Sequence, residues 1–260
     1  MSTSFEATPD YSALLRLDGK HVIVLGGGLG IGRQTSIAAA SVGAHVSVVD
    51  TDPDRAKSVA GEVDGLALTG DITSRADLQR VMDSAVGHFG PLHGLADIVG
   101  ASDFGPLADA TDEEFQRGIE LNLKHVWLAL QIGSRAMTGG GSMAFVASVS
   151  GFRSAPNHGI YGAAKAGLMN MLGTAAVELG PSIRVNAVAP GQTATPRITD
   201  RHPEPDYFDK QGLQVPLGRV GKPSDIASGL LFFLSDLSQW VTGQTLVVDG
   251  GAGRKYQYTI

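Results

Sequence analysis

The feature that most constrains this chain is a set of short apolar runs that do not alternate: His-Val-Ile-Val-Leu at 21–25, Val-Ser-Val-Val at 46–49 and Thr-Leu-Val-Val at 245–248. A strand with one wet face alternates apolar and polar residues. A run that stays apolar is covered on both faces, the usual condition of a parallel sheet. Parallel neighbours need long crossovers, and longer helical patterns stand between these runs. The pattern predicts strands over His21–Leu25, His45–Val49, Leu66–Leu68, Gly94–Ile98, Met143–Ala147, Arg184–Val188 and Thr245–Val248. Helices are expected near 30–42, 53–61, 74–89, 111–137, 159–179 and 223–235. The fold class expected is α/β: a doubly wound parallel sheet of about seven strands with helices on both faces, in three αβα layers.

A chain of 260 residues is common for one α/β domain. Residues 1–18 read as a polar N-terminal arm, 19–251 as a single domain and 252–260 as a C-terminal extension. Within the domain, 192–222 holds four prolines and many charges, too long for an ordinary connection. It reads as a functional lid or a disordered segment, or else a tolerated surface insertion. With 43% hydrophobic and 18% charged residues the chain is no disordered polymer. A net charge of −6 argues against a nucleic-acid partner or an anionic membrane surface. No apolar run is long enough to span a bilayer. The first residues lack the basic-then-apolar pattern of a secretory signal, so none is expected. The absence of Cys excludes disulfides and thiolate chemistry, and fits a cytoplasmic protein.

Glycine is in surplus, 35 residues in all, and the densest cluster is Gly26-Gly27-Gly28-Leu29-Gly30-Ile31-Gly32, between the first strand and first helix. Glycines permit a tight turn and close backbone approach to a pyrophosphate, and a helix N-terminus offers free N–H groups to it. Asp50 closes the second strand, where a carboxylate can accept hydrogen bonds from both adenosine ribose hydroxyls and repel a 2′-phosphate. Neither Leu29 nor Thr51 supplies a cation to neutralise such a phosphate, and NAD is favoured over NADP. The other reading of Asp50 is a turn cap. Asp71, followed by Ile72, ends the third strand; it either meets the adenine amino group or starts a turn.

Tyr161 and Lys165 are spaced i, i+4, on one face of the 159–179 helix. A nearby ammonium favours phenolate over phenol and suits the pair to acid/base work. Ser148 ends the preceding strand. Taken together, the glycine turn, Asn122 in Leu-Asn-Leu, Ser148, Tyr161-x-x-x-Lys165, Arg184-Val-Asn-Ala-Val-Ala-Pro-Gly191, Pro216-Leu-Gly-Arg219 and Val241-Thr-Gly-Gln-Thr-Leu-Val-Val-Asp-Gly-Gly251 resemble the classical short-chain dehydrogenases/reductases, over about 18–251. The resemblance implies a Rossmann-type fold, a homotetramer paired through helices 111–137 and 159–179, and a small-molecule alcohol or ketone substrate. It implies that Tyr161 is the general acid/base, Ser148 holds the substrate oxygen, and Lys165 assists Tyr161 and binds the nicotinamide ribose. Asn122 would hold a water linking Lys165 to solvent. Cofactor contacts are implied at Gly26, Gly28, Leu29, Gly30, Ile31 and Gly32, at Asp50, Asp71 and Ile72, at Asp97, Ile98, Val99 and Gly100, and at Pro190, Gly191, Thr193 and Thr195, besides Tyr161 and Lys165. No metal is required.

Two departures stand out. The family usually has Thr where Leu25 stands, and Asn-Asn-Ala-Gly where Asp97-Ile98-Val99-Gly100 stands. Leu25 is expected to pack near Ile98 and Val99, exchanging a polar link for an apolar one. Asp97 is expected to accept backbone N–H groups or to face cofactor or solvent, because a buried carboxylate is costly unless bonded. The substrate pocket is expected to be walled by Ser148, Ser150, Phe152, His158, Tyr161 and the 192–215 segment, with Ile198, Tyr207, Phe208 and Leu213 as lid contacts or as packing residues. The function expected is NAD-dependent hydride transfer with a secondary alcohol or ketone. Alternatives are a cis-dihydrodiol dehydrogenase, a 3-oxoacyl carrier-protein reductase, and a non-catalytic NAD-binding protein.

Overall fold

Every residue of the first strand is buried, so this strand lies at the centre of the molecule with helices on both sides. The computed structural model describes residues 8–101 and 104–254; the first part of the expected arm, and 255–260 of the expected extension, lie outside them. Strand β1 (His21–Leu25) is followed by β2 (His45–Asp50), β3 (Leu66–Thr69), β4 (Gly94–Asp97), β5 (Gly141–Val146), β6 (Ile183–Pro190) and β7 (Thr245–Val248). They form one sheet in the order β3-β2-β1-β4-β5-β6-β7. All six pairings are parallel. The expected seven-stranded, doubly wound sheet is what folds. The strands half-exposed along their length, β3 and β7, are its edges.

The helices are α1 (Tyr11–Leu14), α2 (Gly30–Ser41), α3 (Pro53–Glu62), α4 (Arg75–Phe89), α5 (Asp112–Ile119), α6 (His125–Ala136), α7 (Gly159–Leu179), α8 (Pro196–Arg201), α9 (Tyr207–Gly212) and α10 (Pro223–Leu234). Alternate residues of each central strand feed two cores. Ile23, Leu25, Leu95 and Phe145 meet α4, α6 and α7 on one face. Val22, Val24, Ala96 and Ala144 meet α2, α3 and α10 on the other. Among the described residues no helix is long and apolar enough to cross a membrane.

Three local results differ from the sequence expectation. The expected arm is anchored: Leu17 is buried in the α2/α10 core, and its N–H donates to Val42 O at 2.8 Å. The segment 192–222 is ordered into α8 and α9, and its two ends are joined by a β-bridge between Thr193 and Gly221. The helix expected over 111–137 is interrupted by a π-turn at Glu120–Lys124. Such a turn carries one extra residue and releases a backbone carbonyl. Here Asn122 fills the gap, donating from Nδ2 to Gly118 O at 2.9 Å.

At the amino end of the sheet His21 is fully buried in β1. Its Nδ1–H donates to Gly90 O at 2.9 Å, and Ser47 Oγ–H donates to Nε2 at 2.9 Å. Burial holds its pKa below the usual histidine value, with smaller contributions from His93, His45 and His88. In the unfolded chain this imidazole takes up a proton near pH ~6.5, whereas in the fold it resists. Its contribution to stability is therefore complete above that pH and lost as pH falls. Thermal unfolding is expected to show a lower Tm at pH ~5.5 than at ~7.5, and His21→Asn is expected to reduce that difference. An unchanged pH difference in the variant would remove His21 as its source.

Candidate active site

Parallel strands deliver their carboxyl ends to one edge, where loops leave for the crossover helices. β1 ends in the glycine turn. Gly26, with φ of +79°, and Gly27 donate their N–H groups to Val49 O at 2.9 and 2.8 Å, fixing the turn to β2. A Cβ on Gly32 would stand 1.8 Å from Gly26 O, so α2 packs against the turn closer than any side chain allows. Leu29 precedes α2 in extended backbone and contributes no side-chain cap. The helix thus presents first-turn amides and the positive end of its dipole, a fit for a diphosphate. The opposite wall comes from the 192–222 segment: a Cβ on Gly30 would lie 3.4 Å from Pro196 and 3.7 Å from Thr195.

The Asp50 carboxylate lies at the end of β2, half-exposed. It accepts from Gly28 N and Asp52 N, each at 3.1 Å. It therefore caps the local turn, with its carboxylate still reachable from solvent. The nearby cations are engaged elsewhere: Arg33 pairs with Glu62, and Arg55 lies 3.3 Å from Asp52. Asp71 accepts from Thr73 N at 2.9 Å and Thr73 Oγ at 2.7 Å, which is the turn-starting geometry; Ile72 beside it is buried.

Ser148 closes β5 and is buried; its Oγ accepts from Ser150 N at 3.1 Å. The Tyr161 phenol lies near enough to Ser148 for the serine hydroxyl to favour its ionised form. One turn along α7, Lys165 is fully buried; Nζ donates to Val146 O at 2.8 Å and stands 5.8 Å from the Tyr161 ring centre. Burial pushes the Tyr161 phenol above its usual pKa, opposed by Ser148 and by the charge of Arg197. Burial likewise lowers Lys165 to about 8, opposed by Asp97. Asn122 is buried beside them: Oδ1 accepts from Ala101 N at 3.2 Å, and Nδ2 donates to Ala101 O at 2.6 Å. A Cβ on Gly100 would lie 2.9 Å from Asn122 Oδ1 and 3.0 Å from Lys165 Nζ, so both side chains converge on the bare backbone of Gly100. Pro190 ends β6, and Gly191 N donates to Val248 O at 3.0 Å. Thr193 is buried, with Oγ donating to Gly191 O at 3.1 Å.

Around this centre, Ser150 Oγ and His158 Nδ1 are 3.0 Å apart. His158 stacks on Phe104 with ring centres 4.5 Å apart, and Phe104 stands edge-on to Tyr161 at 6.1 Å. Phe152 is exposed at the end of the short turn 149–151. Of the expected lid contacts, Tyr207 stacks on His202 at 3.9 Å and accepts from Gln192 Nε2 at 2.9 Å, while Phe208 packs against Tyr207 at 5.2 Å. These two pack within the 192–222 segment. Ile198 is half-buried, and Leu213 points to solvent.

The two departures resolve as follows. Leu25 and Val99 join the same core on the α6/α7 face, as expected, whereas Ile98 packs into the opposite core. Leu25 reaches Ile98 through backbone: Ile98 N donates to Leu25 O at 3.0 Å. The Asp97 side chain does not face solvent. It is buried, accepts from Val99 N at 3.0 Å and lies 3.2 Å from His125 Nε2. Sequence reasoning missed three neighbours of the site: His125, Phe104 and Arg197. Arg197 donates to Gly100 O at 3.0 Å. His125 carried the one available signal, its i, i+3 spacing from Asn122.

A family model described as enoyl-(acyl carrier protein) reductase matches residues 27–253. The chain is 36% identical to 3-oxoacyl-[acyl-carrier-protein] reductase FabG of Thermotoga maritima, over 91% of this chain and 99% of that one. It is 34% identical to 7alpha-hydroxysteroid dehydrogenase of Escherichia coli, over 91% and 95%. The chain belongs to the classical short-chain dehydrogenase/reductase family. This dehydrogenase/reductase superposes on a solved 7alpha-hydroxysteroid dehydrogenase, complexed with NADH and 7-oxo glycochenodeoxycholic acid, with a TM-score of 0.88 at 33% identity, covering 94% and 98% of the two chains. It is accordingly an oxidoreductase of alcohol and ketone groups. A cavity of about 330 Å³ between Phe104, Leu107, Arg117 and Ile160 is lined by none of Ser148, Tyr161 or Lys165.

The tight contact of Gly32 with Gly26 O gives a direct check on the turn. Gly32→Ala is expected to cost about 1–3 kcal/mol through overpacking, read as a lower Tm in thermal unfolding. An unchanged Tm would mean that the turn opens freely.

Proposed function

We propose that this enzyme interconverts a secondary alcohol and a ketone with NAD, using Tyr161 as the general acid/base. The convergence of Ser148, Tyr161 and Lys165 at the carboxyl end of β5, beside the glycine turn, carries the reading. When bound, the nicotinamide supplies or accepts a hydride. The chain's residues manage the proton and the orientation. In reduction the Tyr161 Oη–H donates to the ketone oxygen and passes its proton to it; in oxidation the same oxygen takes the proton back. The Ser148 hydroxyl, beside the phenol, is suited to hold the same substrate oxygen. The Lys165 ammonium, fixed on Val146 O, stabilises the phenolate as the proton leaves and is placed to meet the ribose. Asn122 fixes the loop at Ala101 and bridges Lys165 to solvent through water. Ser150, His158 and Phe104 form a wall of mixed polarity, suited to a partly apolar substrate.

NAD is supported by the reachable Asp50 carboxylate and by the pairing of Arg33 and Arg55 with other acids. Pro190, Gly191, Thr193 and Thr195 are assigned to the cofactor by the family resemblance, and Thr195 lies against the glycine turn at Gly30. Two measurements test the reading. Tyr161→Phe is expected to lower kcat by at least about a hundredfold, the lower end of what a positioned acid/base contributes, with NAD affinity within a few-fold of the parent. Turnover near that of the parent would overturn the mechanism. NAD is expected to bind at least about tenfold tighter than NADP, and Asp50→Ala to narrow the gap; each tenfold corresponds to ~1.4 kcal/mol. Equal binding, or a preference for NADP, would overturn the cofactor assignment.

A further inference from the structure

Among the described residues, Asp97 is the one buried carboxylate and Lys165 the one buried ammonium. They share a face of the sheet. Asp97 is paired in register with Phe145 of β5, and its side chain lies on the same side as Leu95 and Phe145, the side covered by α6 and α7. Lys165 reaches from α7 to Val146 O, the residue after Phe145. Each group alone would carry a heavy desolvation cost, and together each supplies the charge the other lacks.

Among the described residues, Asp97 forms no ion pair with an arginine or a lysine. Oδ1 is taken by Val99 N–H. Oδ2 stands 3.2 Å from His125 Nε2, yet the approach is too poorly aligned for a hydrogen bond, and Oδ2 and both imidazole nitrogens of His125 have no hydrogen-bond partner. Groups left unsatisfied in this way, in a position sealed from water, call for an explanation. An electrostatic one is at hand, since the attraction between opposite charges grows as water is excluded.

We propose that Asp97, with His125 seated against its second oxygen, is a positioning residue that keeps Lys165 charged and in place beneath Tyr161. This rests on the proposed roles of Tyr161 and Lys165. The groups that face the lysine are Asp97 from β4, His125 from α6 behind it, the Asn122 amide from the π-turn, and Tyr161 on α7 itself. Arg197 from α8 acts on the phenol. Of these, Asp97 is the one whose charge favours the ammonium, which accords with the opposition it offers to the burial of Lys165. The exchange of Asn for Asp at this strand end thereby acquires a chemical purpose.

The test begins with the titration of Lys165 in the cofactor-free protein, by NMR of 13C-labelled lysine, with the resonance assigned from Lys165→Met. Asp97→Asn keeps the size and the acceptor for Val99 N–H and removes the charge. It is expected to move the Lys165 midpoint down by at least about one pH unit, and the alkaline limb of the kcat profile with it. A midpoint within ~0.3 units of the parent, read at this precision against that expected shift, overturns the proposal. Such a result leaves the acid/base role of Tyr161 standing, since Tyr161→Phe tests that separately. A second measurement does not depend on the single variant being folded. Lys165→Met strands the carboxylate, and adding Asp97→Asn is expected to raise its Tm by roughly 3 °C or more. A double variant no more stable than Lys165→Met overturns the proposal as well.

Discussion

Burial of the central strands on both faces is the constraint from which the rest of the architecture follows. It requires a parallel sheet, and a parallel sheet requires that each strand return through a helix on one side or the other. Every strand then points the same way, and the residues that follow β1, β2, β4, β5 and β6 meet along one edge. The order reverses between β1 and β4, so the connections leave in opposite directions there and a crevice opens. The glycine turn, Asp50, Gly100, Ser148 and Gly191 come from distant parts of the chain and meet there for this topological reason.

Within that crevice, burial and charge act against each other. Removing water pushes the phenol up and the ammonium down, each towards its uncharged form. Neighbours with charge or a well-placed hydroxyl oppose the drift. The hydrogen-bonded frame about Asn122 and Val146 matters because small displacements of either group would alter this balance.

Much of this was legible in the residues. Uninterrupted apolar runs gave all seven strands to within two residues or so at each end, and the Tyr161–Lys165 spacing pointed to side chains that gather at the end of β5. Other features obeyed rules that no local pattern announces. The π-turn at 120–124 has a helical composition, and only the demand of Asn122 for the carbonyl of Gly118 shows that the helix widens there. The 192–222 segment has the prolines of a loop, yet it folds into two short helices because its ends are bridged and its aromatic residues stack on one another. The buried Asp97 lies beside His125, which is 28 positions away (125 − 97) and becomes a neighbour only when α6 packs on the sheet.

The widened turn has a consequence for anyone seeking to regularise this protein. An ideal helix advances by 3.6 residues per turn, and one surplus residue rotates everything downstream by about 100°. Phe115 lies outward before the turn, while His125, Leu128 and Ile132 lie inward after it. Deleting a residue here would restore a regular hydrogen-bond ladder and improve local geometry by every helical criterion. It would also swing the inward side of α6 away from the sheet and withdraw the amide from its loop. The irregularity is the phase correction that lets one continuous rod serve two different surfaces.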